Sequence, residues 1–368
     1  MKIGICVRTW GERGGIGSYT RSVVSKIVEL DQKNDYLLFY SEQKYAGTFR
    51  NHANVRDIVV SSKNKLLWDQ ISVPLLAQKE KVDVIFHTKF SVPLLSPKKT
   101  VMVLHGTERF YYPDFHPKSD RIYFRTIYPQ YLKRASVIIA VSDRARLDIL
   151  DLLKLEPAKV KTVYLAADPI FRVLEDEEYL DNIQKKYSLT ERFILYVGHI
   201  YPGKNVGRLF RAFAKIRKNH PVGLVVAGTY RWKYQKEMGL IDELNLNEHV
   251  HLAGHVPPED LVGLYNLAEL TVFPSFYESF GIPNVEANAC GCPLVTSCTG
   301  GSIEAAGDAA IYIDPLDVDE IADAMERVLT DEALRSDLIE KGFRNAKRFS
   351  WEKTAKMTLE VLESIRPA

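Results

Sequence analysis

The sequence predicts two α/β domains in tandem, each built on a parallel sheet. Its 368 residues correspond to two domains at roughly 150 residues each. Short apolar runs of strand length alternate with stretches of helical period along the chain. The alternation breaks once, in the acidic segment 168–190, DPIFRVLEDEEYLDNIQKKYSLT, which reads as a hinge with one short helix.

The first series of strands is KIGICV, YLLFY, VDVIFHT, TVMVLH, SVIIAVS and VKTVYL. The second is FILYVG, VGLVVAG, VHLAG, LTVFPS, PLVTS and AAIYI. We place the boundary near residue 172, giving domains 1–172 and 173–350 followed by a terminal helix at 351–368. In open α/β sheets ligands bind beyond the carboxyl ends of the strands, so the loops there carry the candidate residues.

The net charge of +2 conceals a division. Residues 1–172 carry 28 Lys and Arg against 17 Asp and Glu, or +11, and residues 173–368 carry 21 against 30, or −9. A basic half suits polyanions or an anionic membrane surface. Cys6, Cys290, Cys292 and Cys298 form neither a zinc pattern nor a disulfide framework, which fits reduced thiols in a cytoplasm. KIGICV follows the first Met without a charged leader, and no window reaches about 18 uninterrupted apolar residues, so any membrane contact is expected to be peripheral.

After the first strand, Gly14, Gly15 and Gly17 precede an amphipathic helix and let backbone amides approach an anion. The spacing GGIG is not a dinucleotide fingerprint, and the next strand ends without an acid. The segment FPSFYESFGIPNVEANACGCPLVTS says more. A strand ends near Pro274, a loop holds Glu278 and Gly281, Pro283 suits a first helical turn, and Gly291 closes the helix.

Glu278 and Glu286 then lie about 10 Å apart along the chain direction, a nucleotide-sugar length. The helix N-terminus between them favours a diphosphate, which two carboxylates would repel unless they address its neutral ends. Carboxylates accept well from vicinal diols, which assigns Glu286 to a ribose and Glu278 to a sugar. Lys204, in VGHIYPGKN, stands before another helix and can neutralise the diphosphate. Gly300, Gly301 and Ser302 form a third amide-rich turn, and His105 ends a strand in VMVLHG.

Together GGIG, LHG, PGKN and ESFGIPNVE resemble the motifs of the family 4 glycosyltransferases, over nearly the whole chain. The resemblance implies a GT-B fold, two Rossmann-like domains with parallel sheets facing across a cleft, and retention of anomeric configuration. It implies an N-terminal acceptor-binding domain, a C-terminal domain holding a GDP- or UDP-hexose, and a terminal helix that packs back on the first domain. Glu278 would contact the donor hexose, Glu286 the ribose and Lys204 the diphosphate. Backbone amides around Ser279, Phe280 and Gly281 would meet the sugar or phosphate, Gly15 and Gly17 would line the donor, and His105 would sit beside the reacting sugar. One departure is His199, five residues before Lys204, where many relatives carry an arginine that contacts the diphosphate.

His105, Lys204 and Glu278 are thus the expected catalytic residues, with no metal and no cofactor. Asp317-Val318-Asp319 matches a metal-binding Asp-x-Asp pattern but sits where helix-entry acids belong. The acceptor is expected to be a glycan or lipid-linked sugar, docking on the first domain. There FYYPDFHPKSDRIYFRTIYPQYLKR mixes Arg121, Arg125, Lys133 and Arg134 with aromatics suited to an anionic membrane interface or to covering a core. A nucleotide-sugar epimerase and a non-catalytic sugar-nucleotide-binding protein are the alternatives. Nucleic acid is not an expected partner, because the basic residues are spread and the second half is acidic.

Overall fold

The structure is a computed structural model that describes residues 1–365 apart from 13 and 63. It divides into two compact units. The first comprises Met1–Tyr111, Lys118–Leu165 and the C-terminal segment from Ser350; the second comprises Tyr112–Pro117 and Ala166–Phe349.

The first unit holds seven strands: β1 (Lys2–Cys6), β2 (Asp35–Tyr40), β3 (Val55–Val59), β4 (Val84–His87), β5 (Lys99–Leu104), β6 (Val137–Ala140) and β7 (Val160–Thr162). They lie in the order β3-β2-β1-β4-β5-β6-β7, with every pairing parallel. Six of these match the sequence reading; β3 is an addition to it. As an edge strand, VRDIV is only partly buried and carries Arg56 and Asp57, so it lacks the unbroken apolar run that marks a central parallel strand.

Helix α1 (Gly15–Leu30) follows β1 and buries Tyr19, Val23, Val24, Ile27 and Val28 along one stripe. Gly14, at its N-cap, has φ of 92°, which favours glycine. Gly15 and Gly17 lie inside the first turn of this helix, where the sequence reading had them just before it. A Cβ on Gly17 would stand 1.8 Å from the carbonyl oxygen of Glu12, so glycine is required there by close approach of the preceding loop. Gly17→Ala is therefore expected to destabilise the first unit by about 1–3 kcal/mol, read as a lower urea midpoint. An unchanged midpoint would show that the loop yields freely.

The second unit holds β8 (Phe193–Val197), β9 (Gly223–Ala227), β10 (Val250–Gly254), β11 (Leu270–Phe273), β12 (Leu294–Ser297) and β13 (Ile311–Ile313). Their order is β10-β9-β8-β11-β12-β13, again parallel throughout. Among its helices are α2 (Val206–Ile216), α3 (Ile282–Ala289) and α4 (Val318–Thr330). The acidic segment before β8 contributes one helix, Glu177–Lys186, whose Ile183 joins the core of this unit.

The last helix, α5 (Trp351–Glu363), belongs to the first unit and packs on α1. Ser350 caps it, accepting from the Lys353 amide at 3.2 Å. Its inner face buries Trp351, Thr354, Ala355, Thr358 and Leu362. The Trp351 ring meets Tyr19 edge-on at 6.0 Å, and the Thr354 hydroxyl donates to the Tyr164 carbonyl at 2.7 Å.

Strand order reverses direction between β1 and β4 in the first sheet and between β8 and β11 in the second. Loops leaving such neighbouring strands diverge to opposite faces and open a crevice at the carboxyl edge. These two switch points are where ligands are expected.

Candidate active site

At the second switch point, the chain after β8 runs through His199 to the 3-10 turn Pro202–Lys204. Asn205 follows in the left-handed region at φ 57°, a conformation asparagine tolerates. Its buried amide donates to the carbonyls of Pro274, at 2.9 Å, and Pro315, at 2.7 Å. The loop after β11 is tied to the same turn by the Phe276 amide, which donates to the Gly203 carbonyl at 3.0 Å. These bonds fix two loops whose key residues are 74 positions apart. Lys204 Nζ forms an ion pair with Glu278 Oε1, which also accepts from Ser275 Oγ at 2.7 Å.

Glu286 lies one turn inside α3. Gly281 opens this helix at φ 94°, Pro283 occupies its first turn, and Gly291, at φ 69°, ends it. The Tyr265 hydroxyl donates to Glu286 Oε2 at 3.0 Å. Burial raises the Glu286 carboxyl to about 7, opposed by this hydrogen bond and assisted by the charge of Asp168. The first amides of α3 carry a positive partial charge between the two glutamates.

The turn Gly300–Gly301 has a different job from the one its sequence suggests. The Gly301 amide is spent on the Glu278 carbonyl at 2.7 Å. Cβ atoms added at Gly300 and Gly301 would lie 2.2 Å from the Glu278 oxygen and 2.4 Å from the Ser279 oxygen. The turn therefore buttresses the Glu278 loop from behind. Phe280 is buried, with its ring edge-on to Phe349 at 5.2 Å.

His199 is not left to carry a positive charge. Burial, then the charges of Arg231 and Lys204, lower it to about 4, so the imidazole is neutral at physiological pH. Its Nε2 lies 3.2 Å from Arg231 Nη2 and its Nδ1 lies 3.0 Å from Thr229 Oγ1. An arginine can only donate, so Nε2 accepts and the proton belongs on Nδ1, toward Thr229. A guanidinium thus stands beside His199, the residue that the sequence reading finds in place of an arginine, and it is supplied from the loop after β9. Nothing in the spacing around Lys204 indicates Arg231; its one signal is its place after the strand beside β8. Ser275 and Tyr265 are likewise additions, the first legible as a near neighbour of Glu278, the second only from the packing.

In the first unit, His105 Nε2 lies 2.7 Å from the Thr88 carbonyl, so it donates and Nδ1 is left as an acceptor. Tyr19 and Phe90 pack edge-on to the ring at 5.0 and 5.9 Å. Burial lowers this histidine to about 4 and keeps it neutral. At the first switch point a small cavity is lined by Arg8, Thr9, Trp68, Asp69, His87 and Lys89. Arg8 pairs with Asp69 at 3.2 Å and Lys89 with Glu12 at 2.6 Å, so the charges there cancel.

Asp317 caps α4, accepting from the amides of Asp319 at 2.8 Å and Glu320 at 3.1 Å, and Asp319 pairs with Lys215. Both acids are thereby engaged at a helix entry. The aromatic stretch from Phe110 to Arg134 is largely folded inward, with Phe124, Tyr128 and Tyr131 buried in a core of the first unit. Tyr112 and Phe115 pack on Phe276 in the second unit, at 5.9 and 5.4 Å. Among the described residues no helix is long and apolar enough to cross a membrane. Cys6, Cys290 and Cys292 are buried thiols and Cys298 is exposed, all unbridged.

Two parallel-sheet units, each reversing strand order at a crevice, define the GT-B class of nucleotide-dependent transferases. Residues 13–170 match the model for glycosyltransferase family 4, and residues 178–345 match that for glycosyl transferases group 1. The chain belongs to the family 4 glycosyltransferases. It is 29% identical over 363 residues to the O-antigen chain mannosyltransferase B of Escherichia coli, covering 94% of each chain. A serotype-specific mannosyltransferase of the same organism is 31% identical over 251 residues, covering 64% of this chain and 30% of that one. The backbone is similar to that of the Anabaena protein HepE, solved with UDP and glucose, at a TM-score of 0.78 and 18% identity, covering 99% of this chain and 100% of that one. It is also similar to WaaG, a glycosyltransferase involved in lipopolysaccharide biosynthesis, at a TM-score of 0.74 and 17% identity, covering 98% and 99%.

Proposed function

We propose that this chain is a retaining hexosyltransferase. It moves mannose or glucose from a GDP- or UDP-linked donor to a glycan or lipid-linked acceptor in surface polysaccharide or glycolipid synthesis. The observation that carries this reading is the Lys204–Glu278 ion pair, held by two loops at the second sheet's switch point and one helix entry from Glu286. The mannosyltransferase relatives favour mannose as the hexose and a polysaccharide as the product.

In this scheme Glu286 accepts the ribose hydroxyls and Glu278, oriented by Lys204 and Ser275, accepts those of the hexose. The diphosphate lies against Lys204, the amides from Ser279 to Gly281 that lead into α3 and the Arg231 guanidinium, with neutral His199 aligning Arg231. The bond from the anomeric carbon to the phosphate oxygen breaks while the acceptor oxygen bonds to that carbon on the same face. The acceptor's proton passes to the leaving phosphate oxygen. Positioning and the charge-stabilising donors supply the catalysis, and the scheme uses neither metal nor cofactor.

A thermal-shift screen of nucleoside diphosphates and their hexose conjugates tests the reading. A ligand specific for the folded site at about 100 times its Kd adds roughly 2.7 kcal/mol of stability, a rise of a few degrees for a unit of this size. One guanine or uracil nucleotide series is expected to raise the Tm. A flat response to every compound would overturn the donor site.

A further inference from the structure

We infer that Trp232 reads the base of the donor nucleotide by stacking its indole on it, and that this stacking favours a purine. The inference rests on the transferase reading, which places the donor's diphosphate against Arg231. The loop after β9 is built to present what it carries. A Cβ on Gly228 would stand 1.8 Å from the Gly198 carbonyl oxygen, so at its root the loop lies directly on the loop after β8. Beyond that point Ile200 and Tyr230 form a parallel bridge. The Ile200 amide donates to the Thr229 carbonyl at 3.0 Å and the Arg231 amide to the Ile200 carbonyl at 2.9 Å.

The Tyr230 and Tyr234 rings then stack at 4.5 Å with 22° between their planes, and Tyr234 packs on the core of the second unit. This clasp closes a turn that holds Arg231, Trp232 and Lys233. Lys233 has φ of 61°, uncommon for a residue other than glycine, and its ammonium donates to the Asp114 carbonyl at 3.4 Å. Trp232, in the middle of the turn, is 48% exposed, whereas Trp10, Trp68 and Trp351 are buried. Among the described residues its indole has neither a hydrogen-bond partner nor a ring partner. A braced turn that leaves an indole half in water forgoes the burial that tryptophans usually obtain, and presents a flat apolar face to a ligand.

Position selects the ligand. Arg231 meets His199 at 3.2 Å, and the next residue along follows at about 3.8 Å between Cα atoms, so the indole lies within a nucleotide's length of the proposed diphosphate. A base tethered to that diphosphate meets the indole at a high effective concentration, which an untethered partner does not. Strands β9 and β11 flank β8 on opposite sides, two strand spacings or about 10 Å apart, which a nucleoside spans. Trp232 after β9 and Glu286 after β11 can therefore hold base and ribose from two sides. Stacking accepts any base but strengthens with the area overlapped, so a two-ring purine covers a two-ring indole better than a one-ring pyrimidine. Of the two donors proposed, the GDP-linked one is favoured.

The experiment titrates the full chain with GDP, UDP and inorganic pyrophosphate while following its tryptophan fluorescence, in which Trp232 is the exposed one of four. GDP is expected to quench the emission, and pyrophosphate, which has no base, to leave it unchanged. Calorimetry of Trp232→Ala is expected to show GDP bound about 5–100-fold more weakly, the range for loss of a base-stacking aromatic, with the pyrophosphate Kd within about twofold of wild type. Trp232→Phe keeps a flat ring and should stay within about threefold of wild type for GDP. Wild type should bind GDP at least about tenfold tighter than UDP, and the alanine variant should lose most of that ratio. Three outcomes overturn the inference and leave the transferase reading standing: GDP binding without quenching, an alanine variant that keeps its GDP affinity or loses pyrophosphate equally, and a GDP-to-UDP ratio that the substitution does not change. Failure of every nucleotide to bind overturns both.

Discussion

Lys204→Ala is expected to lower kcat by about 10²–10³-fold with a smaller rise in KM, the signature of a group that acts on charge developing in the transition state. Lys204 is ion-paired with Glu278. Its removal takes away a positive charge at the proposed diphosphate and leaves Glu278 Oε1 with its hydrogen bond from Ser275. Arg231→Ala is expected to act differently, raising KM about tenfold with little change in kcat, because an exposed guanidinium contributes mainly to ground-state phosphate binding. His199→Ala should follow Arg231→Ala in direction, since its neutral ring aligns the guanidinium and bears no charge itself. Steady-state kinetics with the donor found by the thermal screen decides this. Equal effects of Lys204→Ala and Arg231→Ala would sink the division of labour, and a Lys204→Ala enzyme within about threefold of wild type would sink the role of Lys204.

Glu286→Gln is expected to weaken donor binding about 10–100-fold, the loss that goes with a charge-assisted hydrogen bond. It should also abolish a pH dependence. Burial raises the Glu286 carboxyl from 4.5 to about 7, so at pH 6 most of the free protein carries it neutral and a poorer acceptor for a diol. Wild-type donor affinity should therefore climb as the pH passes through about 7, whereas the glutamine variant stays flat. Stability moves the other way. Between pH 4.5 and about 7 the folded chain holds a proton that the unfolded chain has released, so raising the pH favours unfolding. The contribution of this group is on the order of 3 kcal/mol across that window, and Glu286→Gln should remove it from the urea-derived stability profile. Isothermal titration at several pH values reads the binding half of this expectation. Affinity independent of pH in wild type would show that the ionisation of Glu286 does not bear on donor binding, and the ribose assignment would lose its support.

Much of the architecture was legible because parallel strands, buried on both faces, leave near-continuous apolar runs such as FILYV and LTVF. An edge strand does not, and β3 was invisible for that reason. Helix punctuation was equally readable. Gly281, Pro283 and Gly291 mark α3, and Asp317 marks α4, because a positive φ, a missing amide hydrogen and a capping carboxylate each demand particular residues. The glycines near α1 and the Gly300–Gly301 turn were found but their purpose was not. Whether a glycine offers its amide or merely makes room depends on what packs against it, here the Glu12 carbonyl and the backbone of Glu278.

The sequence by itself determined two α/β units, the helix entry that separates Glu278 from Glu286, and the presence of a lysine before α2. All of these rest on local rules of periodicity and capping. Only the tertiary structure decided which of them meet. Strand order places β8 beside β11, which joins Lys204 to Glu278, and β9 beside β8, which brings Arg231 to His199. The exposure of Trp232 was hidden for the same reason, since a tryptophan that faces a core and one that faces outward are spelled alike. Contacts between residues distant along the chain are fixed by topology and packing, and no local spacing encodes them.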